Sequence, residues 1–351
     1  MSHLTRSDGE TPEQEVNNGN SAEVTIGDVA HLAGVSVSTV SRVLNNRPDV
    51  AQGTRQRVKQ VIEETGFSPH AMAQRLGGRR SRSIALVFPL TDRIDRGEVS
   101  TFIVQTSFAA ERESYLFSLV AAPTTEQRLL NLYRSSQVEG VILMEIHMHD
   151  WRVELLRQYG YPFVMIGRCA DNTGLRYVDF DFEGAVVVAA DHLLELGHQR
   201  IAFLNSGKLR QEGYGPAVRA FLGYKHVREK HRVGLLDVEV ETIPEIVSAL
   251  QEANVSAVIL GVHSVAIPEL MRALWLAGYR IPEDLSIVGL QADEIAKNLI
   301  CPMTSVTFDI IDAANRASKM LIDWLEGRST EIEQVVLPPQ LIIRESTIPV
   351  G

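Results

Sequence analysis

The chain has 351 residues, of which 45% are hydrophobic and 22% charged, a composition typical of a globular protein with two or three domains. No run of about 18 apolar residues is present, and the N-terminus lacks the apolar core of a secretory signal, so we expect no membrane span and no membrane partner. The two cysteines, Cys169 and Cys301, match no metal-ligand spacing, which favours a reducing, cytoplasmic location.

The net charge of −10 is unevenly distributed along the chain. Residues 1–23 carry one Arg against five acidic residues, residues 24–82 carry nine Lys and Arg against four, and residues 83–351 carry 24 against 35. Because salt confines charge interactions to about 10 Å, the basic segment can bind phosphates although the chain as a whole is acidic. The first segment is rich in Asn, Glu, Ser and Gly and is predicted to be a disordered tail.

Residues 24–68 have the pattern of short, closely spaced helices. Thr25 is predicted to cap the first helix, with Asp28 completing a capping box. Gly34 fits the end of that helix, and Ser36 can cap the next one. Two short helices joined by a Gly-containing turn of about four residues indicate a helix-turn-helix, whose second helix meets base edges in the major groove.

The second and third helices each have a predicted apolar face. Val40, Val43 and Leu44 form that face in the second helix, so the remaining side chains point elsewhere. Thr54 is the predicted N-cap of a third helix, so Arg55 lies in its first turn. A positive side chain at the start of a helix opposes the helix dipole, and a phosphate contact would explain its position. An exposed face in water is the alternative interpretation.

Residues 24–68, the predicted headpiece, and the segment that follows them resemble the DNA-binding part of the lactose-repressor (LacI/GalR) family. The matching motifs are TIGDVAHLAGVS, STVSRVLN, TRQRV and GFSPHAMAQRL, which run without a gap to Leu76. The resemblance implies a hinge helix over 69–76 that folds on operator DNA, with Leu76 as a minor-groove wedge that kinks the duplex. Without the resemblance, the spacing of apolar residues would favour Leu76 as an ordinary core leucine. His70 is a departure, because the family usually has Asn there.

The resemblance also implies which residues contact DNA. Arg42 is predicted to read a guanine through its two-pronged guanidinium, and Val37 to meet a thymine methyl group. The hinge helix and a basic linker together span 69–82, and the linker arginines serve either phosphate binding or solvation. The predicted DNA-binding residues are Thr25, Val37, Ser38, Thr39, Ser41, Arg42, Asn45, Arg55, His70, Ala73 and Leu76.

Residues 83–347 alternate short apolar runs with helical segments, which predicts two similar α/β halves with parallel sheets and a cleft between them. Ligands of such sheets sit beyond the carboxyl ends of the strands. Motifs such as HLLELGHQRIAFL and IPEDLSIVG resemble the family's core, which is similar to a periplasmic sugar-binding protein. The predicted fold is therefore an all-α helix-turn-helix headpiece joined by a hinge helix to a two-lobed α/β core like that of periplasmic binding proteins.

The predicted cleft departs from the family at several positions. Phe182 stands where the family usually has Asn, Ser264 and Gln291 where it usually has Asp, and Ala220 where it often has Arg. Carboxylates accept hydrogen bonds from sugar hydroxyls, so their loss predicts an uncommon sugar, a sugar derivative or a non-sugar effector. If Arg168 is unpaired in the cleft, an anionic ligand would be favoured. Each candidate also has a structural alternative, such as a core phenylalanine or a salt-bridged arginine. The predicted effector-binding residues are Phe102, Arg168, Asp181, Phe182, Arg219, His263 and Gln291.

These patterns predict a sequence-specific transcriptional regulator, usually a repressor in this family. It would bind a pseudo-palindromic operator as a homodimer in the cytoplasm, associated with the nucleoid, under control of a sugar-like effector. No cofactor or metal is expected, because the His147-x-His149 pair lacks a third ligand. Enzyme motifs for phosphate, acyl or zinc chemistry are missing. Three alternatives remain open: an effector-independent regulator, a cytosolic small-molecule-binding module, and an α/β enzyme.

Overall fold

The computed structural model describes most of the chain, and the described residues fall into two compact units, one within Met1–Met72 and one within Ala73–Gly351. The unit boundary falls inside the predicted hinge and linker segment. The predicted tail and the predicted hinge helix lie outside the described residues. The described residues are 24–44, 47, 50–65, 67, 80–88, 96–121, 124–231, 234–239, 241–262 and 265–350.

The first unit contains the three predicted helices, α1 (Ile26–Leu32), α2 (Val37–Leu44) and α3 (Gln52–Thr65). The predicted capping box is confirmed: the Asp28 amide donates to Thr25 Oγ1 at 3.2 Å, and the Thr25 amide donates to Asp28 Oδ2 at 2.7 Å. The predicted N-cap of α3 was wrong by three residues, because the helix begins at Gln52 and Thr54 lies inside its first turn.

Small side chains pack the three helices together. Arg57 on α3 donates from Nε to the carbonyl of Ala33 at 2.9 Å, which satisfies a backbone group at the end of α1. Arg55 Nη2 donates to the carbonyl of Arg47. Both arginines therefore hold backbone in place within the headpiece. The buried residues of this core are Val29, Ala30, Ala33, Val40, Val43, Val58, Val61 and Phe67.

The second unit contains two sheets, and every strand pair is parallel except β10 with β12. In the described residues the first sheet has the order β11-β5-β4-β3-β1-β2, and the second has the order β12-β10-β9-β8-β6-β7. The strands are β1 (Ser83–Val87), β2 (Leu116–Val120), β3 (Gly140–Leu143), β4 (Phe163–Ile166), β5 (Tyr177–Phe180), β6 (Arg200–Leu204), β7 (Gly234–Val238), β8 (Ala257–Leu260), β9 (Ser286–Leu290), β10 (Thr304–Thr307), β11 (Gln334–Leu337) and β12 (Gln340–Ile342).

Helices cover both faces of each sheet, which explains why strands such as β1 are buried along their whole length. Each sheet and its helices form one lobe: the first lobe contains the sheet with β1, and the second contains the sheet with β6. The chain passes between the two lobes at residues 180–182, 307–310 and 337–340. The predicted two-lobed α/β core is confirmed. None of the helices in the described part of the chain is long and apolar enough to cross a membrane. The helices of this unit are α4 (Arg96–Arg112), α5 (Glu126–Arg134), α6 (Trp151–Tyr159), α7 (Phe182–Glu195), α8 (Gly207–Gln211), α9 (Gly215–His231), α10 (Ile243–Ala253), α11 (Ile267–Leu276), α12 (Asp293–Ala296) and α13 (Ile310–Leu325).

Helices α7 and α9 approach closely because α9 has a glycine at the contact. A Cβ atom on Gly223 would lie 2.4 Å from the carbonyl oxygen of Glu183 and 3.0 Å from Val186 Cβ. We expect Gly223→Ala to lower the free energy of unfolding by about 1–3 kcal/mol, because the overlap outweighs the helix propensity gained by alanine. Urea unfolding followed by tryptophan fluorescence measures this, since all three tryptophans lie in the second unit.

The matched control is Gly140→Ala, where the added Cβ would meet the Leu321 side chain at 2.7 Å. A side-chain end can shift by changing its rotamer, whereas the Glu183 carbonyl belongs to helix α7. We therefore expect a smaller loss for Gly140→Ala. An equal or larger loss at Gly140 would contradict the explanation for the glycine in α9.

Two buried histidines hold the C-terminal segment against the second lobe. His198 lies with Nε2 3.1 Å from the Ile348 carbonyl oxygen and with Nδ1 2.9 Å from Ser256 Oγ. His192 Nε2 lies 3.1 Å from Thr347 Oγ1. Burial lowers the pKa of both histidines, because the interior disfavours the charged ring.

A lowered pKa in the folded state makes stability depend on pH in a defined direction. Below about pH 6.5 the unfolded chain binds protons that the folded chain does not, so the free energy of unfolding should fall as the pH drops below that value. Above about pH 7.5 both histidines are neutral in the folded and the unfolded chain, so they should make the free energy of unfolding neither rise nor fall with pH. The double variant His192→Gln and His198→Gln should have a shallower decline, and an unchanged decline would contradict the assignment.

Candidate functional site

Helix α2 turns one face inward and exposes the other. Val40 and Val43 are buried in the headpiece core, whereas Val37, at the start of the helix, is 46% exposed. Ser38 and Arg42 are also exposed. An exposed valine beside hydroxyl and guanidinium groups at the beginning of a short helix suits the reading of base edges in the major groove.

The other predicted DNA-binding residues differ in burial and in their hydrogen-bond partners. Thr39 and Ser41 are half-buried on α2, and the Thr39 amide donates to Ser36 Oγ at 3.3 Å. Thr25 serves as the cap of α1, and Arg55 is bonded to the backbone of Arg47. A DNA contact by these residues stays a prediction. Four predicted contacts lie outside the described residues: Asn45, His70, Ala73 and Leu76.

The linker arginines near the first lobe are engaged by its acidic side chains. Arg80 Nη2 lies 2.5 Å from Glu139 Oε2 and donates to the Tyr115 hydroxyl at 2.9 Å. The Arg82 amide donates to Glu139 Oε1 at 2.8 Å, and Tyr115 donates to Glu326 at 2.6 Å. Burial raises the pKa of Tyr115. These contacts differ from both predicted roles, phosphate binding and solvation, and anchor Arg80 and Arg82 to the core.

A cavity of about 110 Å³ lies between the lobes of the second unit. The side chains around it are mostly aromatic and aliphatic, and they come from the loops after β1 and β3, from α4, and from the segment that crosses between the lobes. Residues on both lobes contribute, including Phe88, Phe102, Met144, Ile146, Ile166, Phe180, Phe182, Tyr214 and Pro216.

The wall also includes Asp179, which is 2% exposed and is the centre of a buried ionic cluster. Arg168 Nε lies 2.8 Å from Asp179 Oδ2, an ion-pair contact in which the N–H is not aligned with the oxygen. Arg219 Nε lies 3.7 Å from the same oxygen, and its Nη2 donates to the carbonyls of Arg168 and Cys169 at 2.8 and 3.2 Å. Burial raises the pKa of Asp179, although both arginines oppose that shift.

Sequence reasoning did not single out Asp179. Its signal was available, because a carboxylate in an otherwise apolar buried strand needs a charged partner. The expectation of an unpaired Arg168 differs from the structure, in which Asp179 is the partner. The salt-bridged alternative considered for Arg168 agrees with this contact.

The remaining predicted effector residues differ in whether they line the cavity. Phe102 and Phe182 line the cavity, and the Phe182 ring centre lies 5.1 Å from that of Phe308 at the second crossing between the lobes. Asp181 caps α7, with its Oδ1 accepting from the Gly184 amide at 2.9 Å. Gln291 follows β9, outside the described lining. His263 lies outside the described residues, and effector contact by this set stays a prediction.

The mouth of the cavity is bridged by direct contacts between the lobes. The Gly215 amide donates to the Ile146 carbonyl at 3.0 Å, and the Met148 amide donates to the Gly213 carbonyl at 2.7 Å. The Tyr214 hydroxyl donates to Glu145 Oε1 at 3.0 Å. Glu145 has a φ of 56°, a left-handed conformation that is strained for a residue other than glycine. Such strain clusters at ligand-binding and switch regions.

Metal chemistry has no support from side-chain clustering in the described part of the chain. No group of three or more His, Cys, Asp and Glu side chains is arranged there to hold an ion. His147, one of the two histidines considered for a metal, packs with its ring centre 5.8 Å from that of Tyr214.

Family models match nearly the whole described chain. The model of bacterial regulatory proteins of the lacI family matches residues 25–70. The model of periplasmic binding proteins and the sugar binding domain of the LacI family matches residues 97–263, and a periplasmic binding protein-like domain matches residues 190–347. These ranges correspond to the headpiece and to the two-lobed core.

Individual relatives agree with these matches. The chain is 30% identical over 331 residues to the HTH-type transcriptional regulator CelR of Thermobifida fusca, across 91% of this chain and 96% of that protein. The structure of a CelR–cellobiose complex matches with a TM-score of 0.64 at 27% identity, over 93% of this chain and 100% of that one. The lac repressor dimer bound to operator shares the fold, with a TM-score of 0.65 at 22% identity over 93% and 99% of the two chains.

The headpiece, the two-lobed core and the relatives agree on one class of protein. The relatives are transcriptional regulators and not enzymes, so the α/β enzyme alternative is excluded. The chain belongs to the lacI family of bacterial regulatory proteins.

Proposed function

We propose that this regulator is a repressor that binds a pseudo-palindromic operator as a homodimer, in the cytoplasm and on the chromosome. The observation that carries the proposal is the exposed face of α2, where Val37 is 46% exposed beside Ser38 and Arg42 while the opposite face is buried. Val37 is not one of the side chains that form the headpiece core. It suits contact with a thymine methyl group.

The hinge completes the proposed DNA contact. Leu76 is proposed to enter the minor groove between two base pairs, with His70 and Ala73 beside it. Inserted apolar side chains unstack a base step and bend the duplex. Steps that kink easily, such as TA and CA, lower the cost of that bend and are therefore favoured at the operator centre.

The two lobes offer an edge on which a second copy of the chain would fit. Strands β2 and β7 are the terminal strands of their sheets and occupy equivalent positions. Leu116 on β2 is 71% exposed, and Leu236 on β7 is also exposed. Exposed apolar edge strands are an aggregation hazard in a monomer, whereas a two-fold contact would cover them. A dimer would also supply two headpieces for two half-sites.

Ligand control is proposed to act through the interlobe cavity. A molecule that binds one arrangement of the lobes more tightly than the other shifts the population toward it. The bridge between Glu145 and Tyr214 is the contact that such a shift would strengthen or break. The relative CelR is known in complex with cellobiose, which supports control of this chain by a small-molecule effector.

Selection of bound duplexes from a random DNA library tests the proposed function. We expect a near-palindrome with two half-sites and an easily kinked step at its centre. Recovery of unrelated sequences would contradict sequence-specific repression and leave the alternative of a small-molecule-binding module. The same preparation, melted with candidate ligands, distinguishes an effector-independent regulator.

A further inference from the structure

The described residues in the wall of the interlobe cavity are mostly apolar. Phe88, Phe102, Phe180 and Phe182 supply aromatic faces from three different parts of the second unit, and methionine and isoleucine side chains also line the cavity. Among the described lining residues, the polar side chains are Glu145, Asp179 and Tyr214. A polyhydroxylated ring would bury many of its hydroxyls against hydrocarbon, where each unpaired group is costly.

The size of the cavity points to a single ring. Its volume of about 110 Å³ is close to the ~150 Å³ of a protein cavity that holds benzene. Sites for larger ligands typically occupy about 300–1,000 Å³. The volume therefore matches a single ring better than a disaccharide.

The charges around the cavity argue against an anion. Arg168 and Arg219 are both directed to Asp179, and Arg219 also donates to two backbone carbonyls. The ionisable side chains that line the described wall are both carboxylates, Glu145 and Asp179. An anionic ligand would meet them at close range. The two arginines behind the wall offset the two carboxylates, so an uncharged head group is favoured over a cation.

We propose that the cavity binds a compact, uncharged aromatic alcohol or phenol, whose ring packs among the four phenylalanines and whose hydroxyl donates to a carboxylate of the wall. This proposal rests on the proposed function, because the molecule would be the effector of the regulator. Glu145 already accepts the Tyr214 hydroxyl across the lobes. A second donor at the same carboxylate links ligand binding directly to the interlobe bridge.

The test uses the full chain and thermal melting followed by tryptophan fluorescence, with isothermal titration for affinity. The probes are phenol, 4-methylphenol and benzyl alcohol, compared with glucose, cellobiose, benzoate and benzylamine. We expect saturable stabilisation by the aromatic alcohols and none by the sugars or benzoate at equal concentration. Benzylamine should bind more weakly than benzyl alcohol.

Two variants and a control identify the site. Glu145→Gln should weaken binding of the aromatic alcohol by roughly 10-fold or more, because hydrogen bonds to charged groups are the strong ones. Phe102→Leu removes one aromatic face and should also weaken it, with the fold preserved. Glu252→Gln, on the exposed face of α10, removes an acid remote from the cavity wall and should leave affinity unchanged.

Several outcomes would overturn the proposal: binding by glucose, cellobiose or benzoate that equals the aromatic alcohols, stronger binding by benzylamine, no binding by any probe, or unchanged affinity in Glu145→Gln. Operator binding is measured on the same preparation with a selected duplex. If the protein binds that duplex but no aromatic alcohol, only the ligand proposal fails. If it binds no specific duplex, the proposed function itself fails.

Discussion

We expect Arg219→Met to lower the free energy of unfolding of the two-lobed core by about 3–5 kcal/mol. Arg219 is 5% exposed and holds the carbonyls of Arg168 and Cys169 while offsetting the buried charge of Asp179. Methionine fills much of the same volume but donates nothing. The variant would leave two carbonyls and part of a carboxylate charge without compensation in a dry interior. Urea unfolding followed by tryptophan fluorescence measures the loss.

A second substitution and a surface control test the cause. Adding Asp179→Asn to Arg219→Met should recover part of the loss, because the uncompensated negative charge is then removed. Arg272→Met, on the exposed side of α11, should change the free energy of unfolding by less than about 0.5 kcal/mol. A loss at Arg219 no greater than that at Arg272 would show that the cluster does not stabilise the core.

The second large effect is expected at the DNA-binding face. Arg42→Ala should reduce affinity for the preferred operator by about 1–3 kcal/mol and relax the preference at one base pair in each half-site. Arg42 is exposed on α2 and lies outside the headpiece core, so the fold should be retained. A guanidinium can make two hydrogen bonds to guanine that alanine cannot replace. Affinities for the operator and its single-base variants, measured by fluorescence anisotropy, give both quantities.

Lys59→Ala is the matched control, because it removes one exposed positive charge from α3 and leaves α2 unchanged. Its effect should be small and equal for all duplexes, as for a phosphate contact or a solvated side chain. If Arg42→Ala also weakens all duplexes equally, Arg42 contacts the phosphate backbone and does not read a base.

Local features of the structure were the most predictable from the sequence. The capping box of Thr25 and Asp28 is a pattern over four residues, and the structure contains it. The alternation of apolar runs and helices also predicted the two α/β lobes, because strand and helix periods are local properties. The N-cap of α3 was missed by three residues, since Ala51, which precedes the helix, has no capping side chain and Thr54 does.

The candidate cavity was much less predictable, because its chemistry depends on pairs that are distant in sequence. Asp179 and Arg219 are forty positions apart, and whether an arginine is paired is a property of the folded core. Glu145 and Tyr214 meet only because the two lobes approach each other. Asp181 was predicted as an effector contact, and the structure shows it capping a helix, a role that any aspartate before a helix can take.

Titration of the full chain onto the selected near-palindrome and onto a scrambled duplex, over a series of salt concentrations, tests sequence-specific operator binding most directly. We expect at least about 10³-fold tighter binding to the near-palindrome at physiological salt. We also expect a log–log salt dependence with a slope of about −0.9 for each phosphate contacted. Equal affinity for the two duplexes at every salt concentration would contradict sequence-specific operator binding.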